Sequence, residues 1–255
     1  MPRDVYGKHY ELLMKDYELF KNKDTEITIK DVPTGIVDFE LLNFLGFREI
    51  NNIEVVKAMI KAEAEGYDGV AGACYFDSGI KAASNLLSIP VVGPAEASMH
   101  LACMMGKDFT VITSDPKWIK EIEHNLVKQG FGPFAISNNP VRSMTIPMNE
   151  MFEGLMRGSY DAIIDNFTEV GRQSLDDGAQ VIIAGCGLVS PIFSLSRINE
   201  IEGAPIIDPM IASLKMTEMM VTLARAGMPV KSKRGLHRTP VDELRLKGIK
   251  ELRLG

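Results

Sequence analysis

Residues 64–74 read AEGYDGVAGAC and residues 176–186 read DDGAQVIIAGC, so the same order of a glycine, an apolar run and a cysteine occurs twice. Each copy is followed, after a helix-length gap, by a second shared pattern, IPVVGPAEAS at residues 89–98 and APIIDPMIAS at residues 204–213. Short apolar runs of this kind are typical of buried parallel strands. The chain therefore contains two similar halves, and each places one thiol at the end of a predicted strand.

Strand and helix patterns alternate along the rest of the chain, which predicts an α/β fold. The alternating run at residues 26–32 predicts a strand, and a capping-box pattern at Asn51 predicts the start of a helix. We expect two pseudo-symmetric lobes, each a short, mainly parallel sheet flanked by helices, with the active site in the cleft between them. The repeat predicts that residues 1–94 plus 207–255 form the first lobe and residues 95–206 the second.

The composition narrows the class of protein. The chain has 255 residues, of which 45% are hydrophobic and 24% charged, and these values are close to those of soluble globular proteins. Its net charge of −6 argues against a general nucleic-acid binder. No apolar run approaches the roughly 18 residues of a membrane span, and the charged start does not resemble a signal peptide. We therefore expect a cytoplasmic protein that binds neither nucleic acid nor membranes.

The cysteines carry the predicted chemistry. The chain has three of them and no CxxC pattern, so neither a disulfide framework nor a structural zinc site is expected. Cys74 and Cys186 each stand between a strand and a helix, where helix N–H groups should lower the thiol pKa toward neutrality. Gly72 and Gly187 should let the backbone approach a ligand closely. Two opposed thiols could remove a proton from one face of a carbon beside a carbonyl and return one to the other face, with no metal or organic cofactor.

A purely structural role for these cysteines has to be weighed against catalysis. Cysteine is among the most buried residue types and often only fills space. Cys103 lies within the apolar sequence HLACMMG, where this explanation is the better one. For Cys74 and Cys186 the matched positions in the repeat favour function.

At this point the sequence resembles a known family. Four stretches of the chain are similar to the Asp/Glu/hydantoin racemase superfamily. They are EGYDGVAGACYFDSG at residues 65–79, IPVVGPAEASMHLACMMG at residues 89–106, DDGAQVIIAGCG at residues 176–187 and the later GAPIIDP. The similarity is greatest to its hydantoin and allantoin racemase branch. It implies a cofactor-independent racemase or epimerase with Cys74 and Cys186 as the acid/base pair. It also implies a small-molecule substrate and a homo-oligomer.

The resemblance also implies further site residues. Substrate oxygens would be held by the backbone N–H groups of Tyr75, Phe76, Gly187 and Leu188. Thr113 and Ser114 match family substrate contacts more loosely, and ordinary turn chemistry would explain them equally well. Apolar side chains after both cysteines suggest a rim that disfavours free aspartate or glutamate and suits a hydantoin-like ring.

The sequence thus supports one leading hypothesis and two rivals. The leading hypothesis is a two-thiol racemase or epimerase that acts on a hydantoin-like or related amino-acid-derived substrate. Within the same superfamily, a decarboxylase or a cis/trans isomerase would need only one thiol. From a different class, the chain could be a non-catalytic ligand-binding protein with two lobes.

Overall fold

The computed structural model describes residues 3–254 except 31, 33, 34, 37, 233, 236, 237 and 239. Within this part, the chain forms ten α-helices and seven β-strands, and none of these helices is long and apolar enough to cross a membrane. The helices are α1 (Arg3–Phe20), α2 (Leu45–Ala64), α3 (Ile80–Leu86), α4 (Pro94–Met105), α5 (Ile119–Lys128), α6 (Met148–Arg157), α7 (Asp161–Asp176), α8 (Ser190–Leu195), α9 (Pro209–Arg225) and α10 (Asp242–Glu251). The strands are β1 (Val70–Ala71), β2 (Val91–Val92), β3 (Phe109–Thr113), β4 (Val141–Ser143), β5 (Val181–Ala184), β6 (Glu200–Ile201) and β7 (Ala204–Ile207).

The strands form two sheets, and each sheet contains one of the two repeated apolar runs. β1 and β2 pair in parallel as a two-stranded sheet. The larger sheet has the order β4-β3-β5-β7-β6, and all its pairs are parallel except β6 with β7. Mainly parallel sheets with helices packed around them confirm the predicted α/β class.

The main core lies on both faces of the five-stranded sheet. Val111 and Ile183 belong to a buried cluster with residues of α4 and α5 on one face. Ile112 and Ile182 belong to a second cluster with residues of α6, α7 and α8 on the other face. All four side chains are fully buried. Because both faces are covered, the strands show continuous apolar runs instead of alternation, as the sequence predicts.

Helix α9 connects the two sheets. It packs along α4 and also against the two-stranded sheet. The Ser213 hydroxyl donates to the Val92 carbonyl at 3.0 Å, and a Cβ added at Gly69 would lie 2.8 Å from Thr217 Cγ2. The long helix therefore contacts the sheet of the first half as well as α4. The proposed lobe boundaries stay a prediction.

The strand predicted at residues 26–32 is wrong for the residues that the structure describes. Residues 26–30 and 32 have no strand pairing, and residue 31 lies outside the described part. Ile27 and Ile29 pack instead against a cluster formed by α1 and α9. The alternation of apolar residues therefore reflects packing of an extended segment on helices.

The helix start predicted at Asn51 is also wrong. Helix α2 already begins at Leu45, and Asn51 lies inside it. The Asn51 side-chain oxygen accepts a hydrogen bond from the backbone N–H of Ile36 at 2.9 Å. This side chain fixes the preceding loop to the helix and does not cap the helix.

Candidate active site

The two predicted cysteine motifs form loops that touch each other. Cys74 lies between β1 and α3, and Cys186 lies between β5 and α8. A Cβ added at Gly187 would lie only 3.0 Å from the carbonyl oxygen of Ala73, next to Cys74. The close approach expected at Gly187 is therefore made by the other cysteine loop. A larger residue there would push the two loops apart.

Cys74 is exposed, and hydrogen-bond donors surround its sulfur. The Ser78 hydroxyl donates to Cys74 Sγ at 3.6 Å, and the backbone N–H of Phe76 also points to this sulfur. Crowding by protein atoms nevertheless raises the thiol pKa, since lost hydration outweighs these donors. The nearby Cys186 and Asp77 add smaller effects in the same direction.

Cys186 has a matching environment. It is half-buried, and the Ser114 hydroxyl and the backbone N–H groups of Leu188 and Val189 point to its sulfur. Burial again raises the thiol pKa above its ordinary value. Each thiol is therefore held by one serine hydroxyl and by N–H groups of the turn that follows it.

We expected the helix N–H groups to lower the pKa of both thiols, but the net shift of each thiol pKa is upward. The donors act in the expected direction, but desolvation is the larger cause at both sulfurs. The helices that follow the thiols are only 7 and 6 residues long, so they contribute little dipole field. Cys186 is a minor cause of the raised Cys74 pKa, because a second thiolate nearby disfavours ionisation.

Asp77 fixes the Cys74 loop to helix α4. Its backbone has a left-handed φ of 52°, and its carboxylate accepts hydrogen bonds from the N–H groups of Ala95 at 2.9 Å and Glu96 at 3.0 Å. Burial raises its pKa to about 6. A Cβ added at Gly93 would lie 2.4 Å from the Asp77 carboxyl carbon, so this cap requires glycine at position 93.

The second copy of the repeat caps its helix in a different way. Asp208 occupies the position that Gly93 has in the first copy, and its carboxylate accepts from Met210 N at 2.8 Å at the start of α9. The Ser194 hydroxyl donates to the same carboxylate at 2.8 Å. Fully buried Asp16 lies beside it, and burial together with Asp208 raises the Asp16 pKa to about 9.

Three of the apolar side chains that follow the cysteines do not form the expected rim. Tyr75, Leu188 and Val189 are only 5%, 5% and 0% exposed and fill the cores around the large sheet. Phe76 is half-buried, with its ring centroid 5.1 Å from that of Trp118. The rim prediction is wrong for these three residues because the turns direct their side chains inward, so the three side chains cannot discriminate between charged and neutral substrates.

Thr113 and Ser114 have separate roles at the end of β3. The Thr113 carbonyl accepts from Met144 N at 2.8 Å, which extends the pairing of β3 with β4. Ser114 is buried and directs its hydroxyl to Cys186. The sequence signalled Ser114 as a substrate contact but missed it as a thiol partner. It also missed Ser78, whose position four residues after Cys74 was the available signal.

The remaining candidates do not add a further centre. Cys103 is half-buried and packs against the core around α4, as expected of a space-filling residue. Among the residues that the structure describes, no group of three or more His, Cys, Asp or Glu side chains could hold a metal ion. The chemistry that the two loops bring together is therefore that of two thiols and their hydrogen-bond donors.

Comparisons with known proteins identify the family. The model of the family described as "Asp/Glu/Hydantoin racemase" matches residues 48–226. The hydantoin racemase of Pseudomonas sp. (strain NS671) is 31% identical over 180 residues, which are 70% of this chain and 68% of that protein.

Solved structures share the fold. The allantoin racemase from Klebsiella pneumoniae is 25% identical with a TM-score of 0.75, over 91% of this chain and 89% of that one. The allantoin racemase from Pseudomonas fluorescens is 23% identical with the same TM-score of 0.75, over 93% and 94%. The second shows the fold alone, whereas the family model and the first relative settle membership. The chain belongs to the Asp/Glu/hydantoin racemase family, and it is a racemase.

Proposed function

We propose that the protein racemises or epimerises a hydantoin-like substrate by passing a proton between Cys74 and Cys186. The observation that carries the proposal is the matched environment of the two thiols. Each sulfur has a serine hydroxyl and backbone N–H donors, and the two loops that hold them are in direct contact. Two like groups that meet from opposite halves of a repeat suit a reaction whose forward and reverse steps are mirror images.

The electrostatics of the pair support one shared negative charge. Because two nearby thiolates repel each other, the state with one thiolate and one thiol is favoured over double ionisation. The thiolate removes the hydrogen beside the substrate carbonyl, and the neutral thiol donates its proton to the opposite face. The protonation states of the two sulfurs are thereby exchanged, so the protein is ready for the opposite enantiomer. Proton exchange of the two sulfurs with water restores the starting state for the same enantiomer.

Backbone N–H groups of the two loops would stabilise the charge that forms on the carbonyl oxygen. Those of Phe76 and Leu188 lie at the sulfurs, while those of Tyr75 and Gly187 stay predicted substrate contacts. Such donors act on the enolate more strongly than on the ground-state carbonyl. No metal or organic cofactor takes part in the proposed mechanism.

The substrate class comes from the relatives. One is named a hydantoin racemase and another an allantoin racemase, and allantoin is itself a hydantoin that carries a ureido group. A ring hydrogen between a carbonyl and a nitrogen is acidic enough for a thiolate to remove. The family resemblance likewise supports a homo-oligomer, which light scattering would test. The cytoplasmic location stays a prediction from the sequence, which localisation of a tagged chain would test.

The experiment uses Cys74→Ser and Cys186→Ser, with Cys103→Ser as the matched control. Racemisation of a single-enantiomer hydantoin is followed by chiral chromatography, and exchange of the ring hydrogen in D2O by NMR. We expect both site variants to lose racemisation and the control to retain it. Because each thiol serves one face, each site variant should still exchange the hydrogen of one enantiomer only, and the two variants should differ in which one. Full racemisation after either replacement would leave the one-thiol chemistry instead.

A further inference from the structure

An open groove of about 340 Å³ lies at the carboxyl ends of β3 and β4. Its lining comes from two segments, residues 114–116 after β3 and residues 143–148 at the end of β4 and the start of α6. These segments lie side by side because Thr113 is in register with Ser143. The volume is in the range of small-molecule sites, and ligands of parallel sheets bind at this end of the strands.

The groove is connected to the thiol site through Ser114. This residue lines the groove, and its hydroxyl also points to the sulfur of Cys186. The groove therefore begins one side chain away from a proposed base. A substrate whose reacting carbon lies against Cys186 would direct one of its substituents toward this space.

The lining is close to neutral. It contains no Lys, Arg or His, and its one ionisable side chain, Asp115, accepts from Lys117 N at 3.0 Å and pairs with the Lys117 ammonium at 3.1 Å. The start of α6 also faces the groove, but Glu150 in its first turn offsets the positive end of the helix dipole. The Lys117 ammonium is already paired with Asp115, so a carboxylate placed here would lose hydration without gaining an unpaired cationic partner from the lining.

The uncharged part of the lining offers two kinds of contact. Met144, Ile146 and Met148 provide apolar surface, while Ser143 and Thr145 carry hydroxyl groups. The Thr145 hydroxyl already accepts a hydrogen bond from the Asn166 amide at 2.6 Å, so this wall is held in place. Such a surface suits an alkyl, thioether or ureido group.

We infer that this groove binds the substituent on the reacting ring carbon and selects neutral substituents over those that carry a carboxylate. The inference rests on the proposed function and assigns the groove as its specificity subsite. It provides a physical reason for excluding aspartate-derived substrates, which the buried side chains of Tyr75, Leu188 and Val189 cannot supply.

The test compares three substrates: the methionine-derived hydantoin, allantoin and the aspartate-derived hydantoin. Met148→Lys places a cation in the groove, and Pro116→Lys does so from the opposite wall if the first variant folds poorly. Met156→Lys is the control, since Met156 is 37% exposed on the same helix and does not line the groove. The ratio of kcat/KM for the aspartate-derived hydantoin to kcat/KM for the better neutral substrate is measured for each protein.

We expect the wild-type protein to prefer a neutral substrate by at least about tenfold. A lysine in the groove should raise the ratio by about tenfold, and the control should leave it unchanged. A wild-type ratio near one, or a ratio that a groove lysine does not move, would overturn the subsite while leaving the racemase proposal intact. Absence of ring-hydrogen exchange with all three substrates would instead overturn the proposed substrate class and, with it, the subsite.

Discussion

Replacing Gly93 by alanine tests whether the Asp77 carboxylate really holds the Cys74 loop on helix α4. The new methyl group would lie 2.4 Å from the Asp77 carboxyl carbon, which is far inside van der Waals contact. The backbone at position 93 has a φ of −91°, which alanine tolerates, so the clash is the only obstacle. Asp77 must therefore move and give up its hydrogen bonds to Ala95 and Glu96.

Loss of a side-chain helix cap costs about 0.5–2 kcal/mol, and displacing a buried carboxylate adds to this. We expect Gly93→Ala to lower the free energy of unfolding by about 1–3 kcal/mol, measured by urea titration with an unchanged slope. The control is Gly46→Ala in α2, where an added Cβ meets nothing within 4 Å. It should be neutral or stabilise by up to about 1 kcal/mol.

A double-mutant cycle decides the cause. Asp77→Gly removes the carboxylate and keeps a residue that accepts the left-handed backbone of position 77. In that background Gly93→Ala should cost nothing further, because the group that it displaces is absent. The coupling energy should therefore equal the whole effect of the single Gly93→Ala change, about 1–3 kcal/mol. If the two single effects simply add, the clash is not with Asp77 and the reasoning fails.

Three further predictions follow from the same region. Asp77→Asn removes a negative charge that raises the pKa of Cys74 but not that of Cys186. Iodoacetamide labelling followed by mass spectrometry should therefore show a higher ratio of the Cys74 labelling rate to the Cys186 labelling rate. An unchanged ratio would contradict this. Asp16 has a folded-state pKa of about 9, which is above its unfolded value. Its contribution to the free energy of unfolding is therefore complete below about pH 4. It declines as the pH rises toward 9, by up to about 1.4 kcal/mol per pH unit. Asp16→Asn should flatten this decline in urea titrations, and an identical slope in both proteins would count against the buried acid. Gly185→Ala places a Cβ 2.4 Å from Val111 Cγ1 and should lower the free energy of unfolding by about 1–3 kcal/mol. Unchanged stability in urea titrations would contradict this and show that the Val111 side chain moves aside at little cost.

Much of the fold could be predicted because the deciding residues act locally. Apolar runs such as VIIA at residues 181–184 predict buried strands, and Pro94 and Pro209 mark helix starts that the structure reproduces. The errors arose where a local pattern served a distant contact. Ile27 and Ile29 alternate like a strand but pack on helices, and the Asn51 side chain accepts from the N–H of Ile36, which lies outside the helix.

Less of the candidate site could be predicted. The repeat singled out Cys74 and Cys186, whose catalytic role stays a prediction, but it could not supply the balance between donors and desolvation that sets their pKa values. That balance depends on how closely the two loops pack, which involves residues more than a hundred positions apart in the chain. The inward direction of the Tyr75 and Leu188 side chains depends in the same way on the cores beneath them.

The link made by Asp77 has a consequence for how the enzyme could move. It joins the Cys74 loop to α4, which packs with the five-stranded sheet that also carries Cys186. A hinge that parted the two halves would have to break both carboxylate hydrogen bonds and expose the contact at Gly187. Opening the molecule along this line would therefore cost both of these contacts, so the chain itself, without a ligand, resists separation of the two cysteine loops.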